Sequence, residues 1–188
     1  MDELAITAKK DPLEFRLSLL KNHARYTAIL NAVAEKTGWQ KPREKNTGMG
    51  VAIVQRSGAF TAAVAEVARI NGKVKVVKIT VAIDSGIVVN PDTIKAQTEG
   101  CVVMGLTAAY KSGLTIEKGK VAEKNFHNYP ILRIHECPHI EVIVMKNNFA
   151  PEGAGEPGLP PIAPALTNAI FNLTGTRIRA LPFNLDKI

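Results

Sequence analysis

The sequence predicts an α+β fold with a mainly antiparallel sheet and helices packed on one side. Three observations carry that expectation. Two helix-patterned stretches open the chain. Two β-branched-rich runs, Ala63 to Ile70 and Lys73 to Ile83, are joined by Asn71-Gly72, a dipeptide suited to a hairpin turn because both positions need positive φ. A proline- and glycine-rich stretch near the end leads directly into an apolar helix.

The elements follow in order. Asp11-Pro12 reads as a cap with proline at the first helical position, and Leu13, Leu17 and Leu20 then recur at helical spacing. Asn22 is placed to cap a second helix, with Tyr26, Ile29, Leu30 and Val33 on one face and Gly38 ending it. Trp39 to Asn46 is a polar connector containing Pro42. These residues, 1–46, form a helical segment, and 47–188 form the α+β portion. Gly48 to Val54 is an apolar run that begins with glycines and is followed by the hairpin just described. Asp84 to Asp92 is a loop with an Asn90-Pro91 turn. A helix is expected from about Thr93 to Lys111, with Ile94, Gln97, Cys101, Met104 and Ala108 on its apolar stripe. Ile116 to Val121 reads as a short hairpin around Lys118-Gly119, and Ile140 to Met145 as a strand. Ala150 to Pro164 holds five prolines and three glycines in fifteen residues and cannot be a regular element. The helix Ala165 to Leu173 follows, closed by Gly175.

At 188 residues the chain is long enough to bury a core, and its 46% hydrophobic and 22% charged residues are ordinary for a globular protein. No apolar stretch is long enough to span a bilayer. Met1 to Lys10 begins with Asp2 and Glu3 and lacks the apolar core of an export signal. The net charge of +7 raises the question of nucleic acid, but Lys and Arg are scattered from Lys9 to Lys187 without interleaved aromatics. A solvated basic surface accounts for the charge better than an anionic cofactor or an acidic partner. Nucleic-acid binding is not expected. Cys101 and Cys137 stand far apart and form neither a disulfide framework nor a thiolate metal site.

Two positions carry candidate chemistry. Gly153-Ala154-Gly155-Glu156-Pro157-Gly158 sets one carboxylate, Glu156, among residues that free or freeze the backbone. The following helix aims its N-terminal amides back at that loop. A carboxylate on a rigid loop is a candidate general base; the competing reading is a surface Glu in a structural turn. Gln97 is an uncharged amide on a helix stripe, which needs a partner if buried; a half-exposed Gln at a helix edge is the plainer reading. His135, Cys137 and His139 would share a face of a strand, but Pro138 interrupts it and no fourth ligand stands nearby, so no metal site is expected. The chain has no GxxxxGK[ST] loop and no HExxH pair.

The run from Gly155-Glu156-Pro157-Gly158-Leu159-Pro160-Pro161 through Ala165, continued by Asn168-Ala169-Ile170 and Gly175-Thr176-Arg177, closely resembles the end of molybdenum hydroxylase large subunits of the xanthine dehydrogenase and aldehyde oxidase family. More narrowly it is similar to the branch formed by the beta subunits of isoquinoline 1-oxidoreductases. Upstream blocks agree in order: Asp11-Pro12-Leu13-Glu14-Phe15-Arg16, Asp84-Ser85-Gly86 through Asn90-Pro91, Gln97-Thr98-Glu99-Gly100, and Asn125-Phe126-His127-Asn128-Tyr129.

The resemblance implies the C-terminal part of a molybdopterin-binding domain in a longer polypeptide. That polypeptide would hydroxylate N-heterocycles or aldehydes with water-derived oxygen. The cofactor implied is molybdopterin, in its cytosine dinucleotide form, carrying molybdenum. Glu156 would be the catalytic base, Gln97 would hydrogen-bond the cofactor, and Gly153, Ala154 and Gly155 would lie where cofactor and substrate approach. The implied partners are the remainder of the large subunit and an iron–sulfur (2Fe-2S) small subunit that takes the electrons. Since the cofactor cradle of the family comes mostly from the earlier half, this chain is expected to be inactive and without cofactor in isolation. The alternative is a non-catalytic truncated domain or a subunit-interaction module. Both a cytoplasmic and a periplasmic location fit a bacterial parent. Pro151-Glu152 departs from the family pattern by placing a second acid beside the glycine loop.

Overall fold

The computed structural model describes residues 1–188. Asn71 and Gly72 both have positive φ, 51° and 78°, and join β2 (Ala59–Ile70) to β3 (Lys73–Asp84) as an antiparallel hairpin. A second tight turn, Ser57-Gly58 at φ 51° and 78°, joins β1 (Thr47–Arg56) to β2, so β2 begins four residues before the β-branched run suggests. The three strands lie in the order β1-β2-β3, and β6 (His139–Val144) completes the sheet by pairing parallel to β3 at one edge. The mainly antiparallel α+β class is as the sequence predicts.

Three helices precede the sheet: α1 (Asp2–Thr7), which the sequence pattern does not announce, α2 (Pro12–Leu19) and α3 (Ala24–Thr37). Asp11 caps α2 by accepting from the Leu13 and Glu14 amides, and its carboxylate also takes the Trp39 indole N–H at 3.1 Å. α3 starts without the expected Asn22 cap; His23 precedes it and makes no capping bond. Gly38, at φ 62°, ends it as expected. The long helix α4 (Pro91–Tyr110) is capped by the Asn90 side chain at the Thr93 amide, 3.0 Å. A small hairpin of β4 (Ile116–Glu117) and β5 (Lys120–Val121) follows, turning at Lys118-Gly119 as predicted. The last helix, α5 (Ile162–Thr174), begins three residues earlier than expected, because Pro164 is tolerated in a first turn.

The helices cover both faces of the sheet, not one. Leu13, Ile29, Leu30 and Val33 pack with Met49, Val51, Ala62, Val64 and Ala82 on one face. Ala52, Ala63, Ala65, Ile79 and Val81 point the other way, against Val102 and Leu106 of α4 and Ile162, Leu166 and Ile170 of α5. The strands are apolar at consecutive positions, and such strands bury both faces.

Two glycines let α5 lie directly on β1. A Cβ on Gly50 would stand 2.2 Å from the Ala169 nitrogen and 2.3 Å from the Ala165 carbonyl; one on Gly48 would stand 2.6 Å from the Ala169 carbonyl. α4 meets α5 the same way, with Gly105 facing the Ile162 side chain at 2.7 Å. α4 therefore sits rotated from the expected orientation. Its buried face is Thr98, Cys101, Val102, Gly105, Leu106 and Ala109, while Gln97, Met104 and Ala108 are exposed. Thr98 and Thr107 can be buried because each hydroxyl bonds a carbonyl of its own helix, Ile94 and Val103, at 2.8 and 2.7 Å.

Opposite, α3 is tied to the sheet edge by Glu141, which pairs with Lys36 and Lys78 at 2.7 Å each. The Lys36 and Lys78 hydrogen bonds hold the Glu141 carboxyl down at about 2. A carboxyl depressed in the folded state stabilises the fold above its ordinary value, about 4.3, and loses that contribution as pH falls toward the folded value. Urea unfolding followed from about pH 6 to about pH 2.5 is therefore expected to show stability declining across that window, with a shallower decline in Glu141→Gln. Separately, Gly50→Ala is expected to lower stability by about 3 kcal/mol through overpacking of α5 on β1, read from the denaturation midpoint.

Candidate functional site

Asp84, at the end of β3, organises the loops beside the sheet. Its carboxylate is almost fully buried and accepts from Arg25 Nε and Nη2 at 2.8 Å each, from Asn147 Nδ2 at 2.7 Å and from the Gly86 amide at 3.1 Å. Burial pushes this carboxyl up, yet the Arg25, Gly86 and Asn147 hydrogen bonds together hold it below the usual range. The Arg25 guanidinium lies between Phe60 and Phe149, 4.3 and 4.6 Å from their ring centres. Gly86, at φ 78°, lets Ala150 pass so closely that a Cβ would fall 2.0 Å from its carbonyl oxygen. The segment after β6 is stitched to this hub by Ile87 N–H to Phe149 O and Glu152 N–H to Ser85 O, at 2.9 and 2.8 Å.

From there residues 153–161 cross to α4. The Cys101 thiol donates to the Gly155 carbonyl at 3.1 Å, and Gly158 packs on Cys101, where a Cβ would be 3.0 Å from its own. Burial pushes the Cys101 thiol up, which suits a neutral S–H donor. Leu159 N–H closes a turn on the Glu156 carbonyl at 3.0 Å, and Ile162 N–H is spent on Leu159 O at 3.2 Å. The first amide of α5 thus serves the loop rather than a ligand.

The loop and α4 enclose an open cleft of about 450 Å³. Gln97, Gly100, Cys101 and Met104 form its α4 wall; Gly155, Glu156, Leu159 and Pro160 form the loop wall; Arg56, the last residue of β1, stands between. Of the residues singled out from sequence, Gln97, Gly155 and Glu156 meet here. A Cβ on Gly155 would stand 3.6 Å from the Gln97 amide nitrogen. Gly153 and Ala154 lie upstream on the loop, outside the cleft lining. The Glu156 side chain is 73% exposed at the rim, where Arg56 Nε and Nη2 both donate to its Oε2 at 3.0 and 2.7 Å. The second acid, Glu152, is not part of the cleft lining and rests on Gly58 of the β1–β2 turn.

Sequence patterns do not mark Arg56 and Cys101 as site residues. A Ser-Gly pair signals the end of β1, but nothing local says that this strand end meets a loop 100 positions later. Asn125 to Tyr129 forms a separate surface turn, held by Asn128 Oδ1 accepting from the Lys124 and Asn125 amides, with Phe126 exposed. His135 sits in the 3₁₀ turn Ile134–Glu136 and His139 opens β6, and no three His, Cys, Asp or Glu are grouped to hold a metal ion. No helix is long and apolar enough to cross a membrane.

The fold is a two-faced α+β layer whose glycine-loop cleft is open on one side. The molybdopterin cofactor-binding domain family matches residues 7–138, and the chain belongs to that family. It is 36% identical to the beta chain of the isoquinoline 1-oxidoreductase of Brevundimonas diminuta over 97% of its length and 24% of that protein. It is 33% identical to one of the nicotinate dehydrogenase subunits of Pseudomonas putida over its whole length and 17% of that protein. The fold is shared with a copper- and molybdenum-containing CO dehydrogenase, TM-score 0.58 at 19% identity over 68% of this chain and 17% of that one. The chain thus spans at most about a quarter of these relatives, 24% of the first.

Asp84→Ala would leave the Arg25 guanidinium, the Gly86 amide and Asn147 without their shared acceptor. Stability is expected to fall by about 3 to 5 kcal/mol, and limited proteolysis should cut faster between Asn147 and Glu152.

Proposed function

We propose that this chain forms one wall of the active site of a molybdenum hydroxylase, with Glu156 as the general base. The observation that carries the reading is the convergence of Glu156, Gln97 and Gly155 on one open cleft from a helix and a loop distant in sequence. The residues fit a cofactor of this kind. Glycine leaves the backbone approachable at Gly100, where a Cβ would meet nothing within 4 Å, and at Gly155. Gln97 is exposed at the same wall and offers both a donor and an acceptor.

When bound, molybdopterin carrying molybdenum supplies the two-electron redox chemistry. The residues of this chain bind, orient and move a proton. Gln97 would hydrogen-bond the cofactor, the approachable backbone at Gly155 would border it, and Gly153 and Ala154 would adjoin that border. Glu156 takes a proton on its carboxylate as oxygen from water adds to an electron-poor carbon. Such a carbon belongs to an N-heterocycle or an aldehyde. The net change turns C–H into C–OH, releases two protons, and passes two electrons to a 2Fe-2S partner subunit. The cytosine dinucleotide form of the cofactor belongs to the same reading.

A base that is 73% exposed lacks the dry surroundings that give a carboxylate catalytic strength, so the isolated chain is expected neither to turn over nor to retain molybdenum. In the complete enzyme containing this chain, Glu156→Gln is expected to lower kcat by on the order of 10²- to 10⁴-fold with molybdenum content unchanged. Undiminished turnover in that variant would overturn the assignment.

A further inference from the structure

We infer that Arg56 is a positioning residue for Glu156: it grips one carboxylate oxygen, Oε2, and leaves Oε1 as the proton-accepting atom. The inference rests on Glu156 being the base.

Arg56 is held by local structure. It is the last residue of β1 and pairs with Ala59 across the two-residue Ser57-Gly58 turn, so its Cα cannot drift without breaking the hairpin. The loop that bears Glu156 is seated on that same turn. A Cβ on Gly58 would fall 2.2 Å from the Glu152 carboxyl carbon, and glycine alone is at ease there because φ is 78°. The hairpin end therefore meets the loop twice, at Gly58 through Glu152 and at Arg56 through Glu156. That fixes the distance between the guanidinium and the loop.

The pattern of donation is asymmetric. Nε and Nη2 both reach Oε2, at 3.0 and 2.7 Å. A fork meeting two oxygens would occupy both of them; here two donors converge on one. A free glutamate samples many rotamers, and a displacement of about 1 Å at a reacting group is enough to cost about 100-fold in rate. Restricting this side chain therefore matters for chemistry even where it adds nothing to stability. In the isolated chain, Arg56 and Glu156 are 52% and 73% exposed, and such pairs hold weakly in water. Where a second wall excludes water from the cleft, the same contact strengthens.

The test has two arms. In the chain itself, the Arg56 Nε–H resonance is followed by NMR. It is expected to move on Glu156→Gln and to stay in place on Glu117→Gln, an exposed acid on the separate hairpin. An Arg56 resonance indifferent to Glu156 would overturn the contact.

In the complete enzyme, Arg56→Gln is expected to lower kcat by about 10- to 100-fold while KM and molybdenum content hold. Arg56→Lys should restore part of the loss, since an ammonium supplies charge and a donor without the fork. If Glu156→Gln abolishes turnover and Arg56→Gln does not, the positioning role is wrong and the base assignment stands. If neither variant loses turnover, the base assignment itself fails.

Discussion

The arrangement depends on one steric constraint: the backbone of α5 lies against the backbone of β1 with no side chain between them. Gly48 and Gly50 make that possible, and Gly105 does the same where α4 meets α5. Close packing of this kind transmits position with little slack, because interiors resist both voids and overlaps. β1 ends in Arg56, and α5 begins at Ile162, a short loop beyond Glu156. Seating the helix on the strand therefore sets the separation of the two charged groups at the cleft rim.

A second constraint acts on the other flank of the loop. Asp84 collects Arg25, Asn147 and the Gly86 amide, bringing a helix, a strand end and the segment after β6 to one buried point. Burying a carboxylate is costly unless its lone pairs are satisfied, and here four donors satisfy them. Between this hub and Cys101 the loop has little freedom left. Within it Gly158 lets Cys101 come close, as Gly86 does for Ala150 on the segment that precedes the loop. The Asp84-Ser85-Gly86 block, one of several family landmarks in the sequence, has a structural task. It anchors the loop and does not line the cleft.

Much of the fold is legible in the sequence because its signals are local. The Asn71-Gly72 turn, the Lys118-Gly119 hairpin and the Gly38 and Gly175 helix ends each follow from what a single residue's backbone permits, whereas α4 begins at Pro91, inside what reads as a loop turn, because the Asn90 side chain caps it. The orientation of α4 departs from the sequence expectation for a related reason. A stripe through Gln97, Met104 and Ala108 looks apolar, but burial is decided by small and self-satisfied residues, Gly105, Thr98 and Thr107, that fit against α5 and the loop. Likewise, the one-sided layer expected from the strands is two-sided, since the run Ile79 to Ile83, Thr80 included, is buried at every position and leaves no face to water.

By itself the sequence determined the class of fold, the turns, the family likeness and the identity of Gln97, Gly155 and Glu156 as candidates, because backbone preference and motif order are written residue by residue. Only the tertiary structure decided that these three share a cleft, that Gly153 and Ala154 stand outside it, and that Arg56 and Cys101 belong to it. The physical reason is distance along the chain. Arg56 and Glu156 are separated by 100 positions, and no local rule links two residues whose meeting depends on how closely a helix can approach a strand.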